Sequence, residues 1–330
     1  MNYFKYIIEM QTRSINYKVM KIKSLIVVFT LAAFGNPRVL SAQDLLLGRE
    51  QIISLTTNWE GERFADGRPK VSDDILNRTK NVSIEQAWSV LRNNGYKNQF
   101  CGEWIIIHPD QGMVGRALTA QYMPKRVIVR EVLEKRGVEK GYIGDMVSWP
   151  IDLLQERDLY VADSYGKINE GPIIGDNLGT SIYAKSKNGV VFNGSLRDLE
   201  GLEGIDGFNA FVKGSHPSYQ MEMMLTGMNT MIRIGDVTVV PGDVVLAKKG
   251  GVIFIPPHLA EEVVIKGEFT ALKDEFGHLC LREGRYTPGE IDARWSTKIR
   301  EDFLKWLDEN PSKIKMTKAQ LDEFFKERTW

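Results

Sequence analysis

Asp176 is followed, after twenty intervening residues, by the pair Arg197-Asp198, and this spacing carries most of the chemistry legible in the chain. Asp176 stands in Gly175-Asp176-Asn177-Leu178-Gly179, and the pair closes Asn193-Gly194-Ser195-Leu196-Arg197-Asp198. Two carboxylates and a guanidinium in one crevice are enough to hold a divalent cation and an anionic substrate together. Backbone N–H groups at a helix start after Gly175 suit a carboxylate. Arg197 is an always-charged fork for a carboxylate or a developing enolate, and Asp198 is a hard oxygen ligand for Mg²⁺ or Mn²⁺. Taken singly, each residue has a plainer reading: an Asp before a helix caps it, and adjacent Arg and Asp form a surface ion pair of little energetic worth. The ordered set favours the functional reading.

The segments around these residues say how they would meet. A helix is expected after Gly175, and Gly189-Val190-Val191-Phe192 is a short β-branched run that reads as a buried strand. A turn before a helix and a turn after the next strand are places where a parallel sheet assembles a ligand site. Upstream, Ser83 and Gln86 form a capping box for a helix with Ile84, Ala87, Trp88 and Leu91 on its apolar face and Gly95 as its stop. Strands are expected at Trp104–Ile107, Val114–Tyr122, Leu159–Ala162 and Ala210–Lys213, the last ending at Gly214-Ser215-His216-Pro217, where His216 reads as a turn residue. From Met231 to Pro256 the pattern is strand and turn throughout, with Pro241-Gly242-Asp243 as one turn. The order predicts a mixed α/β fold, a parallel middle followed by an antiparallel meander. Arg116 and Asp163 have two open readings: they line the same crevice, or they are structural ion-pair partners. Gly201, Gly204 and Gly207 lack the spacing of a dinucleotide fingerprint.

Past about Gly267 the chain becomes charged and helical. Ile299, Phe303, Trp306 and Leu307 fall at near-helical spacing, and Thr317 with Gln320 makes a second capping box before Leu321, Phe324 and Phe325. Those aromatics require a partner surface, either the core or a neighbouring subunit.

Composition narrows the function classes. The 330 residues carry 43 basic and 43 acidic side chains, for a formal net charge of zero. No basic run with interleaved aromatics is present, so no nucleic-acid partner is expected. Lys18, Lys21 and Lys23 precede the apolar run Leu25–Phe34, and Ser41-Ala42 offers small residues before Gln43. This is the pattern of a secretory signal peptide, and the run is shorter than the roughly 20 apolar residues of a membrane span. The expectation is an exported, periplasmic protein whose mature form starts near Gln43 and has no membrane association. Cys101 and Cys280 make no disulfide framework, and no Cys-x-x-Cys or His-Glu-x-x-His supports a zinc site.

The set Gly115-Arg116-Ala117-Leu118-Thr119, Asp176-x20-Arg197-Asp198, Pro241-Gly242-Asp243 and Gly250-Gly251-Val252 resembles the RraA-like family over about Asp66 to Val264. That family includes the regulators of ribonuclease activity A and the divalent-metal-dependent 4-hydroxy-4-methyl-2-oxoglutarate aldolases. The resemblance implies a swivelling β/β/α-type core, assembled as homotrimers or dimers of trimers with sites near subunit interfaces, here followed by a helical C-terminal extension. It implies that Gly175, Asp176, Asn177 and Leu178 bind a substrate carboxylate, that Arg197 contacts the pyruvyl group, that Asp176 acts with Arg197 in catalysis, and that Asp198 holds Mg²⁺ or Mn²⁺. The chain then divides into a signal peptide and upstream segment (1–42), a lead-in (43–65), an RraA-like core (66–266) and the extension (267–330). One expected function is a metal-dependent lyase cleaving a small 2-oxo acid through a stabilised enolate, by aldol cleavage to pyruvate or by oxaloacetate decarboxylation. The other is an exported, non-catalytic trimeric binding or scaffold protein. Two departures bear on the choice: Asp163-Ser164 and Asn193-Gly194 stand where the family often has Asp-Gly.

Overall fold

The computed structural model describes residues 44–326, so the expected signal peptide lies outside the described residues. Three helices lead in, α1 (Arg49–Leu55), α2 (Asp73–Thr79) and α3 (Ile84–Asn93). The Ser83–Gln86 capping box is present at α3, with Ile84, Ala87, Val90 and Leu91 on the buried face. Trp88 departs from expectation: it turns outward at 38% exposure and packs under the Arg92 guanidinium. Leu45, in the expected lead-in, is 2% exposed within the main apolar cluster, and Leu46 bridges Met228.

Then follow β1 (Phe100–Cys101), β2 (Ile105–Ile106), β3 (Met113–Pro124), α4 (Val127–Glu139), α5 (Trp149–Asp152), β4 (Asp158–Asp163), α6 (Asp176–Ser186), β5 (Val190–Leu196), α7 (Leu199–Glu203) and β6 (Ala210–Ser215). The strands β7 (Met223–Met228), β8 (Ile232–Ile234), β9 (Val237–Val239), β10 (Val244–Lys248) and β11 (Gly251–Ile255) complete the β structure. The main sheet runs β1-β11-β10-β3-β4-β5-β6-β2, and β7 pairs with the second half of β3. Strands β3 to β6 are parallel neighbours, whereas the flanking pairs are antiparallel.

A strand covered on both faces reads as a near-continuous apolar run, and β4, buried from end to end, is apolar between its terminal Asp158 and Asp163. Its Tyr160 and Ala162 face a layer formed by α5, α6 and α7, while Leu159 and Val161 face the ribbon of β8 and β9. The layering is therefore ribbon, sheet, helices: two β layers and one α layer. Two of the elements absent from the sequence reading bear on the surface near the cleft. Strand β7 is Met-rich and carries no alternation, and α4 leaves Val127, Ile128, Val132 and Val138 exposed, so no buried stripe marks it.

The C-terminal part comprises α8 (Ala260–Arg282), α9 (Pro288–Ile291), α10 (Thr297–Glu309) and α11 (Lys318–Lys326). The expected boundary at 266/267 falls inside α8. Val263 and Val264 pack with α2 and α3, while Phe269, Leu272 and Phe276 belong to a separate aromatic cluster with Trp295, Phe303, Trp306 and Phe324. Phe269 stacks on Phe324 at 4.2 Å, so the aromatics find their partner in this helix. The Thr317–Gln320 capping box is formed. Cys101 and Cys280 are both free thiols, and no helix among the described residues is long and apolar enough to cross a membrane.

Candidate functional site

The carboxyl ends of the parallel strands build the site. After β4 the chain leaves the sheet and returns as Pro172–Ile174 beside the end of β5. Pro172 bridges Ser195 in parallel, Ile173 N donates to Ser195 O at 3.1 Å, and Arg197 N donates to Ile174 O at 3.0 Å. The Ser195 hydroxyl closes the excursion by donating to the Lys167 and Ile168 carbonyls, at 3.0 Å each. This pairing sets Gly175 against the Arg197-Asp198 corner. A Cβ on Gly175 would overlap Asp198 Oδ2 and lie 3.2 Å from Arg197 Nε, so the close approach requires glycine.

Asp198 itself is left-handed, with φ 56° and ψ 49°. Asp tolerates that region better than most residues, and a non-glycine residue held there is a common mark of a functional corner. It occupies the N-cap position of α7, yet its side chain caps nothing among the described residues, so the carboxylate remains available to the cleft. Arg197 Nε lies 3.6 Å from Asp198 Oδ2, and the two side chains are 41% and 40% exposed.

Gly175, extended at φ −123°, is the N-cap of α6, and Asp176 is the first helical residue. The plain capping reading of Asp176 therefore does not hold. Its Oδ1 accepts from Asn177 N at 2.7 Å, and a Cβ on Gly201 of α7 would lie 3.0 Å from its Oδ2. The starts of α6 and α7 thus interlock, with their first-turn N–H groups and positive dipole ends at one place.

Gly175, Asp176, Asn177, Leu178, Arg197 and Asp198 line one cleft of about 190 Å³. Asp145 and Val147 join them from the segment before α5, and Tyr219 and Gln220 from the turn after β6. Gln220 was not expected. It is 6% exposed, its Nε2 donates to Met223 O at 2.5 Å, and its sealed Oε1 has no partner among the described residues. Its only sequence signal is its place just beyond the end of a parallel strand. His216 lies outside the lining and, as expected, shapes this turn: its Nδ1 is 2.8 Å from Ser218 Oγ and accepts from Ser218 N.

Neither open reading of Arg116 and Asp163 describes what they do. Strand register places Arg116 opposite Asp158 and Asp163 opposite Gln121, so they sit at opposite ends of β3 and β4. Arg116 donates to the Val71 and Glu156 carbonyls, with Asp73 at 3.2 Å and Asp158 at 3.8 Å as its acidic neighbours. Asp163 accepts from Asn193 Nδ2 at 2.8 Å and from Gln121 Nε2 at 3.1 Å. Asn193, which stands where the family often has Asp, is thus bonded into the floor of the sheet end as the amide partner of a carboxylate.

The donors in the cleft fit a cation that keeps most of its water. No group of three or more His, Cys, Asp or Glu among the described residues could cage a metal. Mg²⁺ and Mn²⁺ need no such cage and bind through one or two carboxylates, which Asp198 and the neighbouring Asp176 supply.

Comparison with known proteins agrees with this architecture. The sequence model of the RraA-like family, described as Aldolase/RraA, matches residues 69–254. The protein DlpA of Legionella pneumophila is 28% identical over 185 residues, which cover 53% of this chain and only 27% of DlpA. Among solved structures, an uncharacterised protein of Pseudomonas syringae superposes with a TM-score of 0.55 at 18% identity, covering 68% of this chain and 100% of its own. Streptomyces coelicolor RraAS2, described as an unusual member of the RNase ES inhibitor RraA protein family, superposes at 0.53 with 22% identity, covering 64% and 98%. At these identities the structures speak for the fold, and the sequence match speaks for the family: a chain matched over more than half its length, with this sheet and these layers, belongs to the RraA-like family.

Proposed function

We propose that the protein is a divalent-cation-dependent lyase acting on a small 2-oxo acid, and that the Gly175–Asp198 cleft is its active site. The observation that carries this reading is the convergence of a helix start and a loosely paired, exposed guanidinium and carboxylate on one cleft of about 190 Å³, the scale of a small acid. The family contains both aldolases and non-catalytic regulators, and a scaffold has no need of this convergence of groups on one cleft.

Mg²⁺ or Mn²⁺ held by Asp198 would polarise the keto group and stabilise the enolate as a Lewis acid. The first turn of α6 would receive the substrate carboxylate. Arg197 would face the oxygen on which charge develops, with two parallel donors in a fixed plane. Asp176 would take and return the proton through one water.

The reading extends to assembly and location. Val127, Ile128 and Ile143 are 60%, 74% and 83% exposed, apolar side chains that a subunit interface would cover, and the family resemblance makes that assembly a homotrimer or dimer of trimers. Export to the periplasm rests on the amino-terminal residues alone. The test is pyruvate release from 4-hydroxy-4-methyl-2-oxoglutarate and from oxaloacetate, with Mg²⁺ and with chelator. Metal-stimulated turnover lost in Asp198→Ala supports the site. No turnover on any oxo acid with any divalent cation would leave the exported binding protein as the reading.

A further inference from the structure

A second cleft, of about 330 Å³, shares no residue with the first. It lies between the segment after α1 (Thr56, Trp59), the approach to β1 (Tyr96, Gln99), the end of β9 with the turn at Asp243, and Pro256–His258. Asp243 is its unusual member. It is 4% exposed, and no cation among the described residues pairs with it. Its Oδ2 accepts from Val240 N at 2.8 Å, which accounts for the turn. Its Oδ1 accepts no hydrogen bond among the described residues and is not sealed from solvent, which leaves it open to the cleft.

A buried carboxylate without a counter-charge is costly unless something else supplies one. The protein itself does not. Arg63, in the segment after α1, is spent on the Thr56 hydroxyl and on the carbonyls of Thr56, Trp59 and Gly67. Arg116, across the strand pairing from Asp243, turns to Asp73 and Asp158. No Lys or Arg lines the cleft, which disfavours an anion. The remaining walls are aromatic. Trp59 has given its indole N–H to Glu62 O, so only its π surface is left, and Tyr96 packs beside His258 with ring centroids 5.9 Å apart. Aromatic faces around an uncompensated carboxylate are the chemistry that selects organic cations.

We propose that this cleft is a second ligand site, for a small organic ammonium ion, with Asp243 as its counter-charge and Trp59 and Tyr96 as its walls. The carboxyl must be ionised to bind, so affinity falls with acidification. Of the other titratable groups facing it, His258 has its pKa lowered by burial, which disfavours its charged form.

The test titrates full-length protein with choline chloride by calorimetry, against matched sodium chloride and against glucose. Saturable choline binding is expected, weakened about tenfold or more by Asp243→Asn and weaker at about pH 5.5 than at about pH 8. Asn keeps the acceptor for Val240 N, so the turn should survive. Should that variant fail to fold, Trp59→Leu is expected to weaken choline binding with Asp243 intact. The proposal is overturned if wild-type protein binds no choline, if Asp243→Asn or, in its place, Trp59→Leu binds it as well as wild type, or if glucose binds equally and without pH dependence.

Discussion

Arginine and aspartate meet at both ends of the parallel strands, and the two meetings have opposite characters. At the carboxyl end, Arg197 and Asp198 are about 40% exposed and 3.6 Å apart, a loose pair that a ligand can rearrange. At the amino end, Arg68 and Asp158 are fully buried at 2.9 Å, with Asp66 2.7 Å from Arg68 and Arg116 close by. The guanidinium groups of Arg68 and Arg116 both lie over the Phe64 ring, at 5.1 and 5.2 Å from its centroid. The same two side-chain types tie the lead-in to the sheet at one end and stand ready for an anion and a cation at the other. Solvent access separates the roles: an exposed charge exchanges its partner for a ligand at little expense, whereas a sealed one does not.

Substitutions at the two ends should therefore fail in different assays. The largest effect is expected from Asp158→Ala, which leaves Arg68 and Arg116 without their buried acid and should lower unfolding stability by about 3–5 kcal/mol in a urea titration. Unfolding at the wild-type midpoint would show that this network is not structural. Asp198→Ala should leave that midpoint within about 1 kcal/mol, the cost of an alanine in left-handed backbone, yet reduce metal-stimulated pyruvate release roughly a hundred- to a thousandfold. Arg197→Lys should lose rate while a divalent cation still binds, because the charge remains and the planar fork does not. If Asp198→Ala instead unfolds the protein, the contrast between the two ends collapses.

Asp243 sharpens the same comparison, being a buried carboxyl with no guanidinium and with one oxygen facing a cleft. Burial raises its pKa from 3.8 to about 7. A raised folded-state value favours the native state fully below the unfolded value, and that contribution is lost as pH rises through about 7. Relative to Asp243→Asn, the wild type should thus lose on the order of 3 kcal/mol between about pH 4 and about pH 7. Parallel urea titrations of the two proteins check this, and equal pH profiles would refute it. The smallest effect is expected from ending the chain at about Gly289. Uncovering Phe276 and Phe269 should destabilise α8 by about 2 kcal/mol, visible as a lowered melting temperature, with the metal-stimulated activity retained.

Much of the structure was readable because its determinants are local. The Ser83–Gln86 and Thr317–Gln320 capping boxes depend on neighbours three residues apart, and both are formed. Strands β4, β5 and β6 each contain a short apolar stretch, Leu159–Ala162, Val190–Phe192 and Ala210–Val212, that is buried because both faces of the sheet are covered there. The spacing from Asp176 to Arg197-Asp198 was readable for a related reason: one helix and one strand return the chain to the same sheet edge. The family followed from that ordered set. Only the tertiary structure could set the rest. Asp158 becomes the acid of Arg116, in place of Asp163, because parallel register puts them opposite one another. Gly175 must be glycine because the Pro172–Ile174 segment, hydrogen-bonded to β5, presses it against Asp198. Strand β7, the outward helix α4, the orphaned Gln220 acceptor and the unpaired Asp243 carboxylate all arise from contacts between segments far apart in the chain. A side chain's type states which charge or hydrogen bond it can offer. Whether that offer is met within the protein or left for a ligand depends on what packs around it.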